Sequence, residues 1–173
     1  MVILGLDIST TCVGYAFTEN KKILDMGFID IKKFTNHKEK AFFVLTEINK
    51  SPYIDDVKKV YVEDNLSGFA GGRTSQQVII KLAKFNAILC FMLEEMFEYN
   101  VNSINPMTAR KQVFGKARVK GIKAKDLVKM KIEEMYNTKK WCKKLHEEIG
   151  IKGISICTMV WLCHFIKKSL INY

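Results

Sequence analysis

The chain has 173 residues, 48% of them hydrophobic and only two of them proline. That composition suits one globular domain with a sizeable core and excludes a disordered or collagen-like chain. Lys and Arg outnumber Asp and Glu by 28 to 18, a formal net charge of +10 that points to a polyanionic partner, most simply nucleic acid.

No apolar run is expected to approach the ~20 residues of a membrane span. The first residues carry no basic n-region, so no signal peptide is expected and the cytoplasm is the expected location. Five cysteines (Cys12, Cys90, Cys142, Cys157 and Cys163) lack CxxC spacing. They suit reduced thiols buried as small apolar groups.

Val2 to Phe17, VILGLDISTTCVGYAF, reads as two antiparallel strands joined by a short polar turn. A single acid, Asp7, ends the first apolar run. It suits a cation at a sheet edge or, equally, a turn carboxylate accepting backbone N–H bonds. Lys21-Lys22 reads as a hairpin turn and Ile23–Ile31 as a third strand. Asn36–Asn49 reads as a helix with Ala41, Val44, Leu45 and Ile48 on one face and Asn36 or Thr35 as its cap. Ser51-Pro52 ends it. Lys58–Glu63, KKVYVE, reads as a strand that again ends in acids, Glu63 and Asp64. Parallel neighbouring strands would bring Asp7 and Glu63 to one edge.

Asn65–Gly72, NLSGFAGG, reads as a glycine-rich loop around Phe69. A helix is expected from Thr74 to Tyr99, Thr74 and Gln77 having capping-box spacing. Val78, Ile79, Leu82, Phe85, Leu89, Met92, Leu93 and Met96 give it an apolar face that Ile88, Phe91 and Phe97 widen. So broad a face suits a central helix or one shared with a second subunit. Val101–Ile104 reads as a short edge strand, and Asn105-Pro106 as the start of a helix over Met107–Phe114. From Arg110 to Lys131 nine basic residues accompany one acid, Asp126. That clustering favours a phosphate-binding face. A second basic group, Lys139, Lys140, Lys143 and Lys144, surrounds Trp141. Helices are expected at Lys123–Tyr136 and Ile154–Leu170, with Asn137–Lys152 unassigned. His146 and His164 suit core or surface histidines better than catalytic ones.

The order β-β-β-α-β-α-β followed by helices, in a single domain over residues 1–173, resembles the RNase H-like fold: a mixed five-stranded α/β sheet flanked by helices. LGLDISTTCVGYAF, VYVEDNLSGF, GGRTSQQVIIKLAKFNAIL and INPMTARKQVFGKARVKGIKAKDLV together resemble RuvC-type Holliday junction resolvases, particularly their phage and viral branch. The resemblance implies a metal-dependent endonuclease that nicks four-way DNA junctions as a homodimer. It implies Asp7 bridging two Mg²⁺ ions and Glu63 holding one of them. Such paired ions, ~3.5–4 Å apart, stabilise the attacking and leaving oxygens of phosphodiester hydrolysis. It also implies DNA contacts from Arg73, Arg110, Lys111, Lys116, Arg118, Lys120, Lys123 and Lys125. Phe69, on its glycine loop beside the strand that ends in Glu63, suits stacking on a base of an open junction or, equally, folding over the core.

One departure stands out. The family pattern closes with an Asp-x-x-Asp pair opening the last helix, but Ile151–Trp161, IKGISICTMVW, contains no acid. Ser155 and Thr158 take the i, i+3 catalytic positions in one alignment, and hydroxyls carry no charge for a divalent ion. Glu147 and Glu148 lie just upstream. A junction-binding protein that does not cut is therefore the alternative. A fragment of a sugar-kinase or actin-like ATPase is a weaker one, because GLDISTTCVGYAF also resembles that superfamily's first phosphate loop.

Overall fold

Apolar runs build three strands in succession: β1 (Val2–Ile8), β2 (Cys12–Glu19) and β3 (Lys22–Asp30). They form an antiparallel meander. α1 (His37–Ile48), β4 (Val57–Glu63), α2 (Gln76–Phe97), β5 (Asn102–Ile104) and α3 (Pro106–Phe114) follow. This computed structural model describes residues 1–20, 22–64, 76–115, 119–122, 126, 127 and 130. The five strands lie in the order β3-β2-β1-β4-β5, with β4 parallel to both β1 and β5. The expected mixed five-stranded sheet is thus the one formed.

Each boundary has a local cause. The β1–β2 turn is closed by Ser9, whose Oγ accepts from the Cys12 N–H (3.0 Å) and donates to the Cys12 carbonyl (2.8 Å). Lys22 belongs to β3, paired with Glu19, and not to the expected Lys21-Lys22 turn. Asn20 makes the reversal at φ 45°, a left-handed conformation that Asn tolerates. Asn36 caps α1, its Oδ1 accepting from the Lys38 N–H at 2.8 Å. Asn105 caps α3 in the same way, with Pro106 as the first helical residue and Gly115 closing the helix at φ 74°.

The core lies on the face of the sheet covered by α1 and α2. Leu4, Leu6 and Ile8 of β1 meet Ala41, Val44 and Ile48 of α1 and Leu82, Phe85, Leu89 and Leu93 of α2. Fully burying one such side chain contributes roughly 1.5–3 kcal/mol. On α1, Leu45 packs half-buried against the core, and Lys40 joins the buried set. On α2, Phe91 is exposed on the side away from the buried stripe, as so broad an apolar face implies, while Val78, in line with the stripe, is exposed as well. By length and composition α2 also suffices to cross a membrane, contrary to the expectation for any apolar run here. Its buried stripe packs into the protein's own core instead.

The β1–β4 ladder contains one irregularity. Val2 pairs with Val57, but Ile3 pairs with Lys59, skipping Lys58. From there the register runs unbroken to Leu6 and Val62.

Candidate metal and nucleic-acid site

Asp7 and Glu63 each stand one residue beyond the last β1–β4 partners, Leu6 and Val62. One further step in that register sets the two acids level on neighbouring parallel strands. Level residues of a parallel pair share a face, here the one opposite Leu6 and Val62. On β2 the residue facing Asp7 is Gly14, which contributes no side chain to crowd the carboxylate. On the other side Glu63 pairs with Ile104 of β5. The row therefore reads Gly14, Asp7, Glu63, Ile104, two acids side by side between a glycine and an apolar residue.

Asp7 is half-buried, and Glu63 is only 8% exposed. The Glu63 Oε2 atom is itself buried. Two adjacent carboxylates with so little water around them suit a hard divalent cation, which takes oxygen donors and offsets their mutual repulsion. Among the described residues no cluster of three or more His, Cys, Asp or Glu side chains completes a coordination sphere. Ser155, Thr158, Glu147, Glu148, His146 and His164 lie outside the described residues. Asp64, also half-buried, extends the ladder, its backbone N–H donating to the Ile104 carbonyl at 2.8 Å.

The basic region begins on α3, beyond β5. Arg110 is half-buried and donates from Nε to the Pro106 carbonyl at 3.0 Å; Lys111 is exposed. Val119 and Ile122 form a β-bridge across a tight turn, with the Ile122 N–H donating to the Val119 carbonyl at 3.2 Å. Gly121 stands at its third position with φ 81°, which a glycine adopts without strain. Lys120 is exposed at the tip. Phe69, Arg73, Lys116, Arg118, Lys123 and Lys125 lie outside the described residues.

Other titratable groups are set against nucleophilic chemistry. Burial, aided by Glu94, pushes the Cys90 thiol up to about 11, so it stays protonated at neutral pH. Burial and then Lys40, Lys84 and Lys81 hold His37 below its ordinary value, favouring the neutral ring. Its ring stacks on Phe85, the centroids 6.1 Å apart. The sequence reading missed Lys40, a cation buried on α1, because an isolated Lys on a helix ordinarily faces solvent.

The fold and the acid pair together define an α/β protein of RNase H-like architecture. Two solved structures of RuvC from Thermus thermophilus, one in complex with a Holliday junction substrate, carry the same fold. They superpose with TM-scores of 0.61 and 0.63 at 12% and 11% identity, each over 98% of this chain and 96% of theirs. The yeast mitochondrial Holliday junction resolvase Ydc2 gives a TM-score of 0.51 at 10% identity, over 98% of this chain and 84% of its own. No protein-family model and no curated protein sequence matches the chain.

Proposed function

We propose that this chain is a metal-dependent, structure-selective DNA endonuclease that nicks four-way junctions as a homodimer. The observation that carries the reading is the level placement of Asp7 and Glu63 at the ends of adjacent parallel strands. These two residues would hold Mg²⁺, whose preferred donors are carboxylate oxygens. When bound, such an ion supplies an activated water and stabilises charge at the scissile phosphate. The sheet edge keeps the two carboxyls adjacent, and the near-complete burial of Glu63 excludes bulk water from that side. Lys111 and Lys120, both exposed, meet the phosphate backbone. Paired nicks need two sites, which a two-fold dimer supplies, and the exposed Ile80 and Phe91, on the side of α2 away from its buried stripe, give an apolar surface for that contact. The single-domain organisation over residues 1–173 and the cytoplasmic setting belong to the same proposal. The phage or viral placement rests on the motif resemblance alone.

The test is strand nicking of a four-way junction in Mg²⁺ by the native chain, Asp7→Asn and Glu63→Gln. The native chain is expected to cut. Each neutral variant should lose at least about 100-fold, the upper end of what residues merely supporting a metal ligand cost. Cutting that survives both changes overturns the assignment. The acid-free stretch Ile151–Trp161 favours a second reading, a junction-binding protein that leaves DNA intact. Tight junction binding without nicking by the native chain would establish it.

A further inference from the structure

Lys40 lies in the first turn of α1, yet it is only 8% exposed. Its Nζ donates to the Thr10 carbonyl at 2.6 Å and stands 5.9 Å from the centroid of Phe85 on α2. The ammonium therefore joins α1, α2 and the turn that follows Asp7. Among the described residues no carboxylate lies within ion-pair distance of it. A buried cation without an acid beside it is expensive, and an apolar side chain of similar volume is often neutral or stabilising in such a place. Stability alone gives no reason for a lysine here.

What it grips does. The Ser9 bonds close the β1–β2 turn onto Cys12, and the Ile31 N–H donates to the Thr11 carbonyl at 3.0 Å, tying the turn to the end of β3. The Lys40 bond ties the same turn to α1. Between the tethered Thr10 and Asp7 stand only Ile8, fully buried, and Ser9. We propose that Lys40 is a positioning residue: its ammonium pins the Thr10 carbonyl and so fixes the Asp7 carboxylate beside Glu63. The inference rests on the reading of Asp7 and Glu63 as a metal site. It has a definite sign. If Lys40 acted only as a nearby positive charge, its removal would tighten binding of a divalent cation. If it positions Asp7, its removal weakens binding despite the more favourable charge.

The experiment compares the full chain with Lys40→Met, Lys40→Gln and Lys40→Arg by Mn²⁺ calorimetry, thermal melting and amide exchange at Thr11 and Cys12. Lys40→Met is expected to melt at or above the native temperature while Mn²⁺ affinity falls about 10-fold. Exchange at Thr11 and Cys12 should quicken with it, and Lys40→Arg, which keeps a charged donor, should restore both. Lys40→Gln provides the same comparison if Lys40→Met does not fold. Tighter or unchanged Mn²⁺ binding with unchanged exchange overturns the proposal. Asp7→Asn separates the two readings. If it binds Mn²⁺ as the native chain does, the metal site itself is wrong and the Asp7 role of Lys40 falls with it. A loss confined to the Lys40 variants cannot arise that way.

Discussion

Tyr15 shows how one side chain ties the outer sheet to pH. Its ring meets Phe17 edge to face, the centroids 5.9 Å apart at 72°. Burial, then the charges of Asp25 and Glu47, push its hydroxyl up to about 12 from an ordinary 10.0. The folded chain thus holds this proton more tightly than the unfolded chain does. The resulting stabilisation is complete below pH 10 and is lost as the pH rises through about 12. Melting temperatures measured from pH 9 to 12 should fall more steeply for the native chain than for Tyr15→Phe. Parallel curves would show that the hydroxyl does not titrate with folding. Nothing in the sequence around Tyr15 announces this, because Asp25 and Glu47 reach it from β3 and α1 across distant positions. Asp7 and Glu63 were legible for the opposite reason: each closes an apolar run of its own strand.

At the level of elements, local chemistry was legible and cross-strand chemistry was not. The two asparagine caps, Asn36 and Asn105, were both marked by residue type and spacing. The β2–β3 pairing was not, because register depends on the turn, where Asn20 stands at φ 45° and Lys22 already pairs with Glu19. That register sets Gly27 opposite Tyr15. A Cβ at Gly27 would lie 2.8 Å from the Tyr15 Oη and 2.9 Å from Cζ, against a ring already held by Phe17. Gly27→Ala is therefore expected to destabilise by about 1–3 kcal/mol. In a Tyr15→Val background the same change should cost much less, so urea titrations of the four chains should give a clear coupling. Equal costs in both backgrounds would show that the ring moves aside freely.

For the molecule as a whole, the question is what covers α2. Its buried stripe serves the core, while Phe91, 62% exposed, points away from it. Phe42, 66% exposed, lies on α1 at the rim of a groove of about 550 Å³ lined by Phe34, Phe43 and Met92. The width of the apolar face was legible in the sequence. So were the four residues that serve the core, Leu82, Phe85, Leu89 and Leu93; the exposure of Val78 on the same side was not, because that depends on how α1 and the sheet meet the helix. A dimer through α2 predicts a two-fold mass in sedimentation at micromolar concentration and a shift to monomer in Phe91→Glu. A native chain that sediments as a monomer refutes the seam.

The skipped residue in β4 decides more than local geometry. Had the phase set by Val2 and Val57 run on, Asp7 would stand level with Val62, and Glu63 would turn its carboxyl to the opposite side of the sheet. Skipping Lys58 restores the parity in which Val57, Val60 and Val62 all reach the core while Glu63 meets Asp7. The strand thus works as a length-tolerant joint upstream and a rigid ruler downstream. Deleting Lys58 would leave a straight ladder with the acids still side by side. Deleting Tyr61 would keep the chain nearly the same length and send Glu63 into the hydrophobic layer beside Leu6. Insertions and deletions are therefore tolerable on one side of Lys59 and ruinous on the other.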